Sequence, residues 1–250
     1  MSALLKGSAA LHAAGLATVA VAPASWPWVV AVCVADHAAI YGAALWPKSG
    51  VLGANLVRLG PEAAARGEVA LSFDDGPDPR ITPRLLDLLG ERGATASFFP
   101  IGTRAEAQPE LVREIVLRGH RVENHSWRHS HAFSVLLPHA AAREIDRAQA
   151  CLASLAGRPP RWFRAPAGLR PPYLEALLRR RGLSLVSWTR RGFDTVDRDA
   201  RRVAARLVRG LGARDVLLLH DGPGQTVVLD ALPRVLDAIE ARGLRAVPLP

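Results

Sequence analysis

One punctuation mark recurs through the chain from Glu68 onward and limits what it can fold into. Four runs with helical spacing end in Arg-Gly, at Arg92-Gly93, Arg118-Gly119, Arg181-Gly182 and Arg242-Gly243, and each is followed by a short apolar run. Arginine suits the negative end of a helix, and glycine supplies the left-handed residue that closes it. Two of these helices, "TPRLLDLLGERG" and "PELVREIVLRG", also open on proline, with Thr82 as the expected N-cap and Pro83 at the first position. The runs "VALSF", "ATASFF", "HRVEN", "RWF", "LSLVSW", "DVLLL" and "RAVPL" read as strands, with further helices near Pro138–Ala156 and Asp199–Leu211. Such alternation predicts parallel strands joined by crossover helices. No GxGxxG or GxxxxGK[ST] follows any strand, which disfavours a nucleotide-binding sheet. A (β/α) barrel is the expected architecture for residues 68–250.

The first 46 residues have another character. Residues 7–35 contain no Asp, Glu, Lys or Arg, and a second apolar stretch runs from Trp28 to Trp46, broken by Asp36 and His37. Two short spans joined by "PASWP" fit a membrane hairpin, for which roughly 20 apolar residues per span are needed. Asp36 near mid-span costs about 2.5–3.5 kcal/mol on insertion scales. The competing readings are a buried Ala-rich helical pair packed on the catalytic domain, and a secretory signal without a clear cleavage site. Membrane association is the expectation. A hairpin puts the following domain in the cytoplasm, and a single anchor puts it in the periplasm. Residues 47–67 read as a linker.

The net charge of +9 invites a nucleic-acid reading, but only Lys6 and Lys48 are lysines and the arginines are spread along predicted helices. No nucleic-acid motif accompanies them, so no nucleic-acid partner is expected. The arginine richness reads as composition bias, with anionic lipid or substrate as the second reading. Cys33 and Cys151 form no CxxC and no disulfide scaffold.

In a (β/α) barrel the working residues stand at the C-terminal ends of the strands. "VALSF" runs into Asp74-Asp75, "HRVEN" into His125 and His129, "RWF" into Arg164, "LSLVSW" towards Arg191 and Asp194, and "DVLLL" into His220. Each has an ordinary reading alone: a polar turn, a chance histidine pair, a core histidine, a structural ion pair. Their coincidence at successive strand ends points to a site. Two imidazoles four residues apart, on one side of a helical turn, can bind one metal, and a carboxylate completes a His2Asp face with an open position. Zinc in such a face lowers the pKa of water from 15.7 towards about 7. The other aspartate can then take a proton, a separate histidine can protonate a leaving group, and an arginine can orient the base. The chemistry is metal-assisted hydrolysis of an ester or amide.

These motifs resemble the polysaccharide deacetylase family, the NodB homology domain of carbohydrate esterase family 4, over residues 68–250. "SFDDGP" is similar to the family's first motif, which implies Asp74 as catalytic base and Asp75 as metal ligand. "HSWRH" implies His125 and His129 as the other ligands, and "RAPAG" implies Arg164 as support for the base. "LLH" implies His220 as general acid, with Leu218 lining the acetyl pocket. The implied fold is a distorted (β/α)7 barrel, and the implied cofactor is a divalent metal, zinc first, with cobalt or nickel as substitutes. The implied activity is removal of an N-acyl group, acetyl first, from an amino sugar of a polysaccharide or oligosaccharide.

Two departures stand out. Ala167 occupies a position where the family commonly has tyrosine, although its backbone N–H can still serve an oxyanion hole. In "RRGFDT", Arg191 and Thr195 replace the first aspartate and the tryptophan of the Asp-x-x-Asp-Trp motif. Arg191 and Asp194 are expected to work together beside His220, leaving one guanidinium face for an anionic substrate group, or else to form a surface ion pair. Two further functional readings stand beside the first: a deformylase or deacetylase of a lipid-linked sugar, and a catalytically silent carbohydrate-binding module.

Overall fold

The computed structural model describes residues 2–250. Eight strands occur: β1 (Glu68–Asp74), β2 (Ser97–Phe99), β3 (Arg121–Val122), β4 (Trp162–Phe163), β5 (Ser184–Leu185), β6 (Arg190–Arg191), β7 (Val216–His220) and β8 (Arg245–Val247). Every ladder is parallel. β1 is the hub. One edge pairs with β7 from Ala70 to Asp74, and the other is shared by β8 at the start of the strand and β2 at its end.

The ring continues from β2 to β3, crosses to β4 by the single bridge Asn124–Phe163, and passes to β5. β5 and β6 have no helix between them, and the incoming chain fills this seam. Leu56 bridges to Val186, the Ser187 N–H donates to the Leu56 carbonyl (2.8 Å), and the Thr189 hydroxyl donates to the Val57 carbonyl (2.6 Å). The β6–β7 pairing returns to β1. The result is the expected distorted (β/α)7 barrel, with β8 set below β2.

Strand alternation divides the core into two layers. Val69, Leu71 and Phe73 of β1, with Leu217 and Leu219 of β7, pack under the outer helices against Leu85, Leu89, Leu232 and their neighbours. Ala70, Val216 and Leu218 point the other way, into a smaller interior cluster with Phe99, Val186 and Trp188. Burying apolar area on both faces explains why these strands read as continuous apolar runs.

The four Arg-Gly stops behave as expected: Gly93, Gly119, Gly182 and Gly243 have φ of +57°, +84°, +66° and +64°. One cap differs. Thr82 is the first residue of the helix Thr82–Glu91 and Ile81 its N-cap, while Asp78 Oδ1 closes the turn before it, accepting from the N–H groups of Arg80 (2.8 Å) and Ile81 (3.2 Å). The Thr82 hydroxyl is used elsewhere, donating to Asp221 Oδ2 (2.7 Å). "LSLVSW" also departs from one uninterrupted strand, since its ladder stops at Leu185 and pairing resumes only in β6. Two consecutive arginines gave β6 no strand signature; its pairing with β7 makes it one.

Before the barrel stand two apolar helices, α1 (Ala3–Val21) and α2 (Trp26–Leu45). Both are long and apolar enough to cross a membrane, and the same property fits a signal segment. They are not the buried helical pair that was one expectation: only Ile40 and Ala44 of α2 are buried, while Leu16, Trp28 and Val34 are exposed. Ser8 on α1 donates to Asp36 Oδ2 on α2 (2.6 Å), giving the in-span carboxylate a partner. Residues 47–67 lie against the barrel. Leu59 and Ala63 are buried in its interior cluster, Leu52 is buried on Ile40 and Ala44 of α2, and the Pro47 carbonyl accepts from the Ser187 hydroxyl (2.5 Å).

Candidate active site

The interior layer carries the chemistry. Asp74 and His220 end β1 and β7 as register partners, on the same side as Ala70 and Leu218. Asp75 follows with φ +73°, which breaks the alternation and lets two consecutive aspartates line one cleft of about 230 Å³. The same cleft receives His125 and His129 from the loop after β3, Leu218 from β7 and Arg191 from β6.

That loop is not the helical turn expected from the spacing of its histidines. It is irregular, with φ +65° at Ser126 and +54° at His129. Left-handed non-glycine residues each cost about 1–2 kcal/mol, so the surroundings must enforce them. Asn124 does part of this: its Oδ1 accepts from the Ser126 N–H (2.9 Å), and its amide donates to the Ile145 carbonyl (3.1 Å) and to Gln149 Oε1 (2.9 Å). The Ser126 hydroxyl then accepts from the His129 N–H (3.1 Å).

His125 Nδ1 donates to the Arg164 carbonyl (2.8 Å), which leaves the Nε2 lone pair for the cleft. Asp75 Oδ1 lies 3.5 Å from His125 Nε2 and 3.3 Å from His129 Nε2, and ligand atoms of the three residues lie within 4.8 Å of one another. Asp75 Oδ1 is buried without a hydrogen-bond partner. A buried orphan oxygen facing two imidazole nitrogens fits a divalent cation. The electrostatics agree. Burial opposes the charged form of Asp75, but the His125, His129 and His220 imidazoles outweigh it and hold the carboxyl well below its ordinary range. Burial likewise opposes a charged His125, yet the Asp74 and Asp75 carboxylates raise its pKa, so the spot favours positive charge. His129 is pushed down to about 4, by burial first and by His125 second, which keeps it in the neutral form a ligand needs.

The remaining groups come in pairs. Arg164, 1 % exposed, donates to Asp74 Oδ1 (2.6 Å) and to the Ser187 carbonyl (3.1 Å), and its guanidinium lies over the Phe99 ring. His220 Nδ1 donates to Asp194 Oδ1 (2.9 Å). Burial alone lowers the His220 pKa, but the Asp194 hydrogen bond and charge reverse the effect and raise it. Arg191 forms no ion pair with Asp194 among the described residues, and Asp194 is fully buried, so the expected surface ion pair is corrected; Asp194 stands beside His220, and Arg191 lines the same cleft without it. Ala167 lines the cleft at φ +55°.

The sequence model of the polysaccharide deacetylase family matches residues 62–186. A chitooligosaccharide deacetylase of Azorhizobium caulinodans is 34 % identical over 205 residues, covering 74 % of this chain and 94 % of its own length. The chain belongs to the polysaccharide deacetylase family. Membership makes it a carbohydrate deacetylase by class, and hence a hydrolase. A peptidoglycan-N-acetylglucosamine deacetylase of Bacillus cereus is 32 % identical, covering 74 % of this chain and 68 % of its own. Among solved structures, a family 4 carbohydrate esterase from Streptomyces lividans in complex with acetate superposes with a TM-score of 0.67 at 34 % identity, over 72 % of this chain and 91 % of that one. A peptidoglycan N-acetylglucosamine deacetylase gives 0.72 at 29 % identity, over 78 % and 91 %. Matched shares of 78 % or less agree with apolar helices that stand apart from the shared deacetylase fold.

Several residues of this deacetylase site escaped sequence reading. Asp221 is fully buried beneath the Asp-Asp-Gly-Pro loop; burial first, with the Asp75 and Asp74 charges, pushes it up to about 7 against the Thr82 hydrogen bond. A Cβ on Gly76 would lie 2.2 Å from Asp221 Oδ2, so only glycine fits there. Trp188, His131 and Gln225 complete the cleft wall beside Thr195, which the sequence marked only as a departure from the fourth motif. The only signal for Asp221 was its place beside His220 at a strand end.

Proposed function

We propose that this family member removes an N-acyl group, acetyl in the first instance, from an amino sugar of an oligosaccharide or polysaccharide. One observation carries the assignment of roles: Asp74 and His220 are neighbours across the β1–β7 ladder, and each is held by its own opposite charge, Arg164 and Asp194. Asp75, His125 and His129 would hold a divalent cation, zinc by ligand preference, with cobalt or nickel able to replace it. When bound, that cation polarises the acyl carbonyl and acidifies water. Asp74, fixed by Arg164, accepts the proton of the attacking water. His220, its pKa raised by Asp194, is the acid that protonates the departing sugar nitrogen. The backbone N–H of Ala167 serves the oxyanion, and Leu218 lines the acyl pocket. The named relatives act on chitooligosaccharides and peptidoglycan, and both are candidate substrates here.

In this reading residues 68–250 form the catalytic domain, residues 47–67 connect it, and residues 1–46 anchor it at a membrane, on the cytoplasmic side for a hairpin and the periplasmic side for a single anchor. A lipid-linked acylated or formylated sugar is a second reading. It is favoured by the end of the anchor, where Lys48 donates to the Thr189 carbonyl (2.7 Å) beside the cleft-lining Trp188. The test is acid release by the purified full-length protein from acetylated and formylated amino sugars, free and lipid-linked, with zinc, cobalt or nickel. Metal-dependent release is expected. Absence of release from every acylated amino sugar with metal loaded would overturn the proposal.

A further inference from the structure

The charges around the cleft are matched with one exception. Asp74 faces Arg164, Asp194 faces His220, and Asp75 faces the two metal-binding histidines. Arg190, the preceding residue on β6, is fully engaged: Nε donates to Asp215 Oδ2 (2.5 Å), and the other nitrogens reach the Arg209 and Gly210 carbonyls. Arg191 has no carboxylate or carbonyl partner for its side chain among the described residues. Its Nε is sequestered from solvent without a hydrogen bond. What holds it is aromatic: the guanidinium carbon lies 5.4 Å from the Trp188 ring centre and 5.1 Å from that of Phe193. Gln225 Oε1, on the same cleft, is also buried and unpartnered, and the side-chain amide can turn its NH2 to the same place.

We infer that Arg191 is an anion subsite of the cleft, and that the acylated sugar carries a phosphate or carboxylate next to the sugar unit being deacylated. This rests on the deacylase reading above and narrows its substrate class. A guanidinium packed against aromatic rings presents a pre-oriented fork, and two parallel N–H donors match the oxygens of a phosphate or carboxylate. The position suits a substituent of the reacting sugar: Arg191 pairs in register with Leu218 on β7, two residues before His220. The anion has two sources, a soluble sugar phosphate or sugar acid, and a sugar joined through phosphate to a lipid. The same wall is tied to the end of the apolar helices through Ser187–Pro47 and Thr189–Lys48, so a lipid-borne substrate has a route to it.

The test uses the full-length, metal-loaded protein in detergent. Wild type, Arg191→Gln and Arg191→Lys are compared on N-acetylglucosamine 1-phosphate, on neutral N-acetylchitobiose, and on N-acetylglucosamine joined by pyrophosphate to a polyprenol. Binding of the product analogue glucosamine 1-phosphate is followed by calorimetry, and metal content and thermal midpoint check that the variants fold. Arg191→Gln is expected to lower kcat/KM for the anionic substrates about 10- to 100-fold more than for chitobiose, and to weaken glucosamine 1-phosphate binding alike, with partial rescue by lysine. Preference for the polyprenol-linked sugar over the soluble phosphate assigns the anion to a lipid, and equal use assigns it to a soluble sugar. Equal losses on anionic and neutral substrates, with unchanged calorimetric binding, would overturn the subsite and leave the deacylase reading intact. Arg191-dependent binding without acid release from any substrate would overturn the deacylase reading and leave the subsite.

Discussion

Asp194 holds His220 with both carboxylate oxygens: Oδ1 accepts from the imidazole Nδ1 at 2.9 Å and Oδ2 from the backbone N–H at 2.7 Å. The first bond leaves Nε2 for the cleft, and the second fixes the end of β7. An acid that must be protonated near neutral pH gains from both, because the buried carboxylate stabilises imidazolium.

Asp194→Asn is therefore expected to move the upper limb of the pH–rate profile to lower pH. The sign follows from the direction of the shift. Asp194 raises the His220 pKa, and activity falls as pH rises through that pKa. The amide keeps one acceptor oxygen for His220, turns its NH2 towards the other N–H and removes the charge, so the fall comes earlier. The check is kcat against pH; an unmoved upper limb would detach Asp194 from the acid.

Asp74→Asn is expected to keep its bound metal and lose about 10²–10⁴-fold in kcat, since an amide fills the same space but accepts no proton. Metal analysis beside the rate separates loss of the base from loss of the site. Turnover near the wild-type rate would assign the base elsewhere.

His125→Ala is expected to abolish stoichiometric metal binding, because two ligands remain of three. Chelation of the wild type should abolish acid release, and cobalt should restore it. Equal metal content in wild type and variant would refute the Asp75–His125–His129 centre.

Gly76→Ala is expected to destabilise the protein by about 1–3 kcal/mol, the usual cost of overpacking. The added carbon would meet the Asp221 carboxylate at 2.2 Å, and that carboxyl is fixed by Thr82 beneath the Asp-Asp-Gly-Pro loop. Chemical denaturation measures the loss. A wild-type midpoint would mean that the loop relaxes freely.

Shortening the chain gives a graded outcome. A chain starting at Pro47 uncovers Leu52, which packs on Ile40 and Ala44, but keeps Leu59 in its buried place and the Leu56–Val186 bridge in the barrel seam. It is expected to fold and to need no detergent. A chain starting at Pro61 loses all of these and is expected to unfold at lower denaturant. Equal midpoints for the two would show that the seam contributes nothing to stability.

The legible parts of the sequence were those governed by local rules. Arg-Gly stops and Pro starts located the helices, since capping is decided within a few residues. Apolar runs located all strands but β6, whose two arginines belong to a strand only through β7. Asp74 and His220 stood out because each ends a strand, and Asp75, His125 and His129 because each follows one in the next loop. What remained hidden depends on long-range context. The left-handed residues Asp75, Ser126, His129 and Ala167 carry no glycine to announce them. Asp194 was expected beside His220 only together with Arg191; that it clasps the end of β7 by itself, across 26 residues, was not legible. The role of residues 54–58 as a surrogate for a strand ladder is set by the gap they fill.

β1 is the first strand of the barrel and pairs with β7 and β8, the last two. A protein made from its N-terminus exposes "VALSF" long before either partner exists. At synthesis rates of about 5–20 residues per second, β1 waits roughly ten to thirty seconds for β7 to be made. Throughout that time the β7 edge of the strand stays unpaired, and His220 has not yet left the ribosome. The nascent chain thus holds Asp75, His125 and His129 well before His220, and the central strand of its sheet keeps an unpaired edge until translation is almost complete.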